Sequence, residues 1–372
     1  MRTLLNKILI PQARTASFPE VHFGGPDYPR GKLRNLLEDR IAAVPAGGSI
    51  NWVTYYFRDI RLAEALIRAH RRGVLVTLSL EARPRIPYAN DAVIALLRGS
   101  TEIGDALRTI AIPGLPSPSS KSWKPQLHEK LYCFSHPEPV AFIGSFNPSG
   151  NGLQDDSAII REIGDQDRGY NALIELKDPI LVGKLAEHAR QLHQLPPGLF
   201  HRFTANVSND IHGTDTDIYF WPRLSAHPVI QFLDNVSNRA RIRIAASHIR
   251  TQAAVDLMIR LAKRGVALEI LAESTFRRVT PKVEQRFTNA GIRFRRIRHP
   301  DSLPMHLKFV LIEEDDRAWS IFGSFNWTRP SFWLNHEIAA ISSNPAIFES
   351  LANCWNRLKN RSIRLITDPA NY

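Results

Sequence analysis

The sequence predicts an α/β fold built twice in one chain. Three observations carry that expectation. A helix-then-strand segment occurs at residues 59–80 (DIRLAEALIRAHRRGVLVTLSL) and again at 251–271 (TQAAVDLMIRLAKRGVALEIL), with Arg72-Gly73-Val74 over Arg264-Gly265-Val266. A short apolar motif, Leu127-His128-Glu129-Lys130, returns as Met305-His306-Leu307-Lys308, and Gly144-Ser145-Phe146-Asn147 returns as Gly323-Ser324-Phe325-Asn326. The offsets agree, 306 − 128 = 178 and 324 − 145 = 179. Such self-similarity marks a duplicated architecture.

Each element of the repeat has a local cause. The halves open on Val21-His22-Phe23 and Ile218-Tyr219-Phe220. An amphipathic stretch follows (LRNLLEDRIAAV; HPVIQFLDNV), then an apolar alternating run at 50–57 and 242–249, which reads as helix then strand. In the 59–80 and 251–271 segments apolar residues recur at helical spacing, a Gly stops the helix, and a β-branched run begins a strand. Pro179 and Pro345 each enter a closing helix, where Pro is suited to the first turn. The predicted organisation is an N-terminal segment 1–20, a first half 21–195, a linker 196–217 containing Pro196-Pro197-Gly198, and a second half 218–372. A Pro- and Ser-rich insertion at 112–122 precedes the first His and is expected to form part of a site rim.

Composition narrows the function classes. At 372 residues, 44% hydrophobic and 23% charged, the chain can bury a large core, and disorder is excluded. A net charge of +12 suits a polyanionic partner, nucleic acid or an anionic membrane surface, and equally a generally basic soluble surface. Cys133 and Cys354 are the only cysteines and are expected to be packing residues, since they show neither zinc-ligand spacing nor a disulfide framework. No apolar run approaches the roughly 20 residues that cross a bilayer. The basic and apolar start at 1–14 is interrupted by Pro11, so it reads as a cap on the fold or a short membrane contact rather than a removed leader. A cytoplasmic location, or one peripheral to a membrane, is expected.

The repeated motifs state a chemistry. His128 with Lys130, and His306 with Lys308, are two apart in apolar runs, so as strand residues they would share one face. Gly-Ser-Phe-Asn on a following strand would let a phosphate approach, with Ser145, Asn147, Ser324 and Asn326 donating to its oxygens and the two Lys supplying charge. One imidazole can attack phosphorus while the other protonates the leaving oxygen, and the reverse sequence discharges a phosphohistidine. No metal or other cofactor is required, and the carboxylate cluster of a two-metal site is absent near these motifs. A lone His-x-Lys is common by chance, and a lone Gly-Ser-x-Asn is more often a turn. Their joint recurrence in order is what identifies a site.

At these residues the chain resembles the phospholipase D superfamily, whose motif is His-x-Lys, four residues, Asp, then Gly-Ser-x-Asn. The resemblance spans about residues 21–372. It implies two homologous halves, each a mixed sheet flanked by helices, packed as a pseudo-twofold duplicate with one active site between them, for which a monomer suffices. It carries the catalytic positions onto His128, Lys130, Ser145 and Asn147, and onto His306, Lys308, Ser324 and Asn326. The motif Asp is replaced by Ser135 and by Glu313, a departure expected to touch the fold rather than the reaction. An orienting carboxylate is expected after each Asn. Glu337 fills that place in half two and Asn171 is its counterpart in half one, by alignment on Pro345 and Pro179. Glu337 is therefore expected to hold His306, and Asn171 to stand beside His128, with His128 the nucleophile and His306 the general acid.

Substrate class is less determined. Trp327, Phe332 and Trp333 beside the second motif could line an acyl or head-group pocket, stack bases, or pack a core. Arg277-Arg278 and the run at 292–298 (IRFRRIR) could follow lipid or nucleic acid. The leading reading is a phospholipid phosphodiesterase or phosphatidyltransferase. The alternatives are a nuclease acting on DNA or RNA, and an inactive phosphodiester-binding scaffold.

Overall fold

A computed structural model describes residues 19–100, 103–112, 125–149, 168–194, 209–223 and 227–363. The N-terminal stretch 1–14, most of the 112–122 insertion and Pro196-Pro197-Gly198 lie outside the described residues.

The first half contains β1 (Glu20–Gly24), α1 (Lys32–Ala43), β2 (Ser49–Thr54), α2 (Ile60–Arg71), β3 (Leu75–Glu81), α3 (Asp91–Gly99), β4 (Leu107–Ile110), β5 (Lys130–Phe134), β6 (Val140–Gly144), β7 (Asn171–Leu176) and α4 (Pro179–Gln194). The second contains β8 (Ile211–His212), β9 (Thr216–Trp221), α5 (Pro228–Asp234), β10 (Arg241–Ala246), α6 (Gln252–Lys263), β11 (Ala267–Glu273), α7 (Pro281–Asn289), β12 (Arg293–Ile297), β13 (Lys308–Glu314), β14 (Arg317–Gly323), α8 (Arg329–Trp333), β15 (Glu337–Ser342), α9 (Pro345–Asn360) and β16 (Ser362–Ile363).

The duplication is a duplication of topology. The first sheet runs β1-β7-β6-β5-β2-β3-β4 and the second contains β9-β15-β14-β13-β10-β11-β12 in the matching order, with β8 and β16 added at its edges. In each, the parallel pairs are β2–β3 and β3–β4 or β10–β11 and β11–β12, and the other matched neighbours are antiparallel. The expected mixed sheet flanked by helices is therefore present twice.

Local chemistry places the helices. Asp59 caps α2 by accepting from the Leu62 amide at 3.0 Å, and Gly73 and Gly265, with φ of 90° and 101°, follow α2 and α6 in a conformation that glycine adopts at least cost. Asn344 caps α9, accepting from the Ala346 and Ile347 amides, with Pro345 in its first turn. The apolar face of α2 (Leu62, Leu66, Ala69) is buried in a core of the first half that also contains Trp52, Tyr132 and Phe142. Leu257, Met258 and Leu261 of α6 do the same in the second half.

A third core joins the halves. Leu127, Leu131, Ile174 and Leu185 of the first cluster with Phe220, Leu307, Phe309, Ile338 and Trp355 of the second. Within it the wholly buried Glu129, the middle residue of the first motif, lies 3.0 Å from His188 of α4, whose ring stacks on Phe220 at 3.8 Å. Burial of apolar side chains on both sheets at once fixes how the motif strands face each other.

Several expectations resolve here. Cys133 and Cys354 are buried free thiols in the shared core, and burial pushes both up, Cys354 to about 12. Ser135 and Glu313, at the motif Asp position, act in the framework. Ser135 Oγ accepts from the Ser49 amide at 2.7 Å, and Glu313 pairs with Arg243 at 3.1 Å. The arginine-rich run is β12 and the residues flanking it, and it is a basic face only in part, with Arg293 and Arg298 exposed and Arg296 turned inward. Arg296 is buried, donating to Glu284 and to the carbonyls of Glu273 and Val279, and Arg293 pairs with Glu269. Trp327 and Phe332 belong to the second core, while Trp333 is 53% exposed. Among the described residues no helix is long and apolar enough to cross a membrane.

Candidate active site

The two His-x-Lys motifs enter β5 and β13. Those strands begin at Lys130 and Lys308, so each His lies just before its strand rather than within it as expected. The reason is that each His segment docks on the opposite half. His128 N donates to His336 O at 2.8 Å, His336 N to Gln126 O at 2.8 Å, and His306 N to Tyr170 O at 3.0 Å. The backbone leading to each motif thus crosses the pseudo-twofold interface before entering its own sheet.

That crossing corrects the expected pairing of the orienting residues. Glu337 does not hold His306. Its Oε2 lies 2.8 Å from His128 Nδ1, and Asn171 Oδ1 lies 3.2 Å from His306 Nδ1, which also bonds Ser145 O at 2.8 Å. The alignment of Asn171 with Glu337 holds, since they open β7 and β15, but each serves the other half's imidazole. In both cases the partner is an acceptor, so Nδ1 carries the hydrogen and Nε2 is left with its lone pair.

The Gly-Ser pairs also act differently from the motif reading, which gave both serines to phosphate. Ser324 Oγ donates to Glu337 Oε2, and Ser145 Oγ donates to Asn171 Oδ1 at 3.1 Å. Each also accepts from a backbone amide, of Ile338 and Ala172 respectively. A hydroxyl has one proton, and here it goes to the group that orients the opposite histidine. The glycines are required by a neighbouring strand rather than by phosphate. A Cβ on Gly144 or Gly323 would stand 2.2 Å from Ala172 O or Ile338 O.

The amides and ammoniums are tied at the same level. Asn147 Oδ1 accepts from the Tyr56 amide at 3.3 Å, which sets its orientation, and Asn326 is likewise buried. Lys130 and Lys308 each donate to the carbonyl of the histidine two residues earlier, at 2.6 Å and 2.7 Å. Tyr55 lies edge-on to His128 with ring centroids 5.2 Å apart.

Two carboxylates invisible as motifs complete the support. Glu81 and Glu273 end β3 and β11, and each accepts from the amide preceding a motif histidine, Leu127 N at 2.6 Å and Met305 N. Their other oxygens accept from the Arg83 and Thr275 amides. The signal was in the repeat: 273 − 81 = 192, the spacing between the paired registers of β2 and β10.

The electrostatics belong to one site. Burial pushes His128 down to about 4, with Glu337 opposing and Lys130 and Lys308 adding to the fall. His306 is held well below its ordinary range by burial and then by Lys308, Lys130, Arg278 and His128. Burial lowers Lys130 to about 7 against the pull of Glu337 and Glu129, and burial, with Lys130 and Arg278, holds Lys308 well below the ordinary lysine range. Burial pushes the Glu337 carboxyl up, but His128, Lys130 and Ser324 outweigh it and hold it below the usual range. Each motif's charges act on the other's imidazole, and a group of buried cations around one carboxylate is a field for an anion. Among the described residues the one cluster with metal-ligand spacing, Glu20, His22 and Glu175, does not include either motif and is occupied by Arg40 and Lys177.

The chain is similar to several known proteins. A family profile described as cardiolipin synthase, PLD-like domain, matches residues 43–192 and 229–359. The mitochondrial cardiolipin hydrolase of Chlamydomonas reinhardtii is 27% identical over 129 residues, 34% of this chain and 56% of that protein. Phosphatidylserine synthase of Haemophilus influenzae superposes with a TM-score of 0.63 at 12% identity, covering 92% of this chain and 87% of that one. Polyphosphate kinase of Porphyromonas gingivalis gives 0.59 at 13% identity, over 91% of this chain and 46% of that one. The chain thus spans about half the length of the hydrolase and of the kinase.

Proposed function

This chain belongs to the phospholipase D superfamily, and from that premise we propose that it is a phosphodiesterase or phosphatidyltransferase working through a phosphohistidine, without a metal, on phospholipid. The observation that carries the reading is the pair of imidazoles whose Nδ1 atoms are each held by an acceptor, Glu337 for His128 and Ser145 O with Asn171 for His306, leaving both Nε2 atoms for chemistry.

His128 is the nucleophile. Its Nε2 lone pair attacks phosphorus, the bond from phosphorus to the leaving oxygen breaks, and the ring becomes cationic. The carboxylate of Glu337 stabilises that charge, which an amide cannot do as well. His306 is the general acid. It has no carboxylate, but the phosphate anion of a bound substrate raises its affinity for a proton, which it passes from Nε2 to the leaving oxygen. Water or an alcohol then gives its proton back to His306 as it attacks phosphorus, and the bond between phosphorus and His128 breaks. Lys130, Lys308, Asn147 and Asn326 supply positive potential to the phosphoryl oxygens. One chain supplies both motifs, so a monomer suffices.

Phospholipid is supported as substrate by what the basic run and the aromatics do. β12 buries Arg296, which donates to Glu284 and to Val279 O, and pairs the exposed Arg293 with Glu269, and Trp327 and Phe332 pack in the core, so these residues are taken up by the fold rather than held ready for nucleic acid. The lipid-directed relatives point the same way, as does a location at an anionic membrane surface, which a +12 chain favours.

The test is incubation of purified protein, in EDTA, with mixed phospholipid vesicles and with single- and double-stranded DNA and RNA, against a His306→Ala control. Head-group release or exchange from lipid is expected. Cleavage of nucleic acid alone would replace the lipid reading with a nuclease, and loss of activity restored by a divalent ion would overturn the metal-independent mechanism.

A further inference from the structure

Among the described residues the large apolar side chains that stand exposed are Ile60, Leu75, Tyr88, Ile180 and Trp333, and the fold sorts them by end. β2 and β3 run parallel toward the site, where Thr54 pairs with Lys130 and Glu81 holds the Leu127 amide. Leu75 opens β3, so at the rise of a strand it lies about 20 Å from that end. Ile180 is in the first turn of α4, which follows the end of β7 farthest from Asn171, so it too is on the far side. Ile60 begins α2 just after β2 and is on the site's side. Tyr88 and Trp333 are at the rim itself.

Tyr88 ends the segment Pro84-Arg85-Ile86-Pro87-Tyr88. The Arg85 and Ile86 amides donate to Tyr55 Oη at 2.7 Å and Tyr56 Oη at 3.3 Å, and Tyr55 is the ring that lies edge-on to His128. This segment therefore stands on the wall beside the first histidine. Trp333 ends α8, in the stretch of chain between Asn326 and Glu337. The Thr328 amide donates to Asn326 O at 2.9 Å and Asn335 Nδ2 to Glu337 Oε1 at 3.2 Å, so both ends of the stretch are pinned on site residues. Phe332 is buried, its ring 5.0 Å from that of Phe325. The next residue of a helix is turned by about 100°, and the 53% exposure of Trp333 is the result.

The two rim segments share a chemistry. Residues 83–91 and 328–334, with Arg250, whose amide donates to Trp327 O at 2.8 Å, present Arg83, Arg85, Arg250 and Arg329 as exposed bases and Asp91 as the one exposed acid. Tyr and Trp rings suit the boundary between bilayer and water, where the apolar body meets acyl chains and the polar tip stays wet, and guanidinium groups beside them meet anionic head groups. Both rings are carried on backbone that the site already fixes, so docking orders little that was free.

We infer that Tyr88 and Trp333, one from each half, are the points at which the mouth of the site docks on an anionic lipid bilayer, with Arg83, Arg85, Arg250 and Arg329 on its head groups. Leu75 and Ile180, although more exposed, face away from that surface. The inference rests on the phospholipid reading, and it brings both histidines to the level at which a bilayer holds its phosphodiesters.

Co-sedimentation with extruded vesicles tests the face without requiring turnover. The vesicles are phosphatidylcholine alone and an equal mixture of phosphatidylcholine with phosphatidylglycerol. The proteins are wild type, Tyr88→Ser, Trp333→Ser, Leu75→Ser and Ile180→Ser, each shown to be folded by a thermal melt. Wild type is expected to bind the mixed vesicles at least about tenfold more tightly than phosphatidylcholine. Trp333→Ser should weaken that binding about tenfold and Tyr88→Ser by a smaller factor, while Leu75→Ser and Ile180→Ser stay within about twofold of wild type. Wild type left in the supernatant with both vesicles, rim variants that bind as wild type does, or an equal loss in the far-side variants overturns the face. So does a rim whose variants lose single-stranded DNA while vesicle binding is unchanged. Vesicle binding that follows the rim, with the lipid left intact and nucleic acid cut, supports the face and overturns the phospholipid substrate, so the two readings fail separately.

Discussion

Glu337 of the second half holds His128 of the first, its Oε2 2.8 Å from the imidazole Nδ1. The relationship crosses the pseudo-twofold interface, so neither half alone contains a complete histidine site. It also breaks the symmetry of the centre, because the matching position, Asn171, presents an amide to His306. From this difference the mechanism takes its direction.

Glu337→Gln should lower kcat on the order of 10²-fold, with His128 as the affected nucleophile. Asn171→Ala should cost roughly tenfold or less, since one neutral hydrogen bond disappears while Ser145 O still holds His306 Nδ1. Steady-state kinetics on both variants checks the order, and an equal loss would remove the asymmetry between the histidines.

Asn171→Asp should make the two sites alike. A carboxylate beside His306 favours its protonated form, so the fall in activity caused by loss of that acid's proton moves to higher pH. Kinetic pH profiles of wild type and variant measure this, and an unchanged alkaline fall would show that His306 is not the titrating acid.

A second loss on the alkaline side should belong to Lys130. Its ammonium is lowered from the ordinary lysine range to about 7 by burial, so it is charged below that value and neutral above it. kcat/KM in the free enzyme should therefore fall as pH rises through about 7, and Lys130→Arg should extend activity to higher pH. The sign for stability is opposite. Between about 7 and the unfolded lysine value the unfolded chain binds the extra proton, so this group's penalty on the fold is relieved as pH rises. Lys130→Met should raise Tm at pH 6 and abolish turnover, which a thermal melt with an activity assay resolves.

Glu81→Ala should leave the Leu127 amide without the acceptor it has at 2.6 Å. A buried donor left unpaired costs about 1–3 kcal/mol, and the segment carrying His128 loses its anchor. Denaturant unfolding should report that loss, with kcat reduced in the folded protein. Unchanged stability and rate would remove Glu81 from the positioning set.

Much of this was legible in the sequence, and for physical reasons. Two copies of one helix–strand pattern must form two like sheets, and paired His-x-Lys motifs in one order locate the site. The correspondence of Asn171 with Glu337 also followed from prolines that open matching helices. What the sequence could not carry was contact across the interface. Glu337 follows the second motif in the chain, yet His128 reaches it because residues 126–128 pair with the strand entry at 336. Repeat alignment relates equivalent residues and says nothing about which half each one faces. The serines were misassigned for a similar reason, since the proton of Ser324 goes to Glu337 through a fold contact that the motif does not encode. Glu81 and Glu273 were legible as a repeated pair, but a glutamate ending an apolar strand carries no motif of its own.

The most direct test of the central claim is the site of the covalent intermediate. His306→Ala should still react with bis(p-nitrophenyl) phosphate, whose leaving group needs no acid, and should accumulate phosphoryl-enzyme because the base for the second step is missing. Rapid quench, digestion and mass spectrometry should place the phosphoryl group on His128. In wild type, a label on His306 would contradict the account, as would burst-free turnover in His306→Ala with no covalent species on His128.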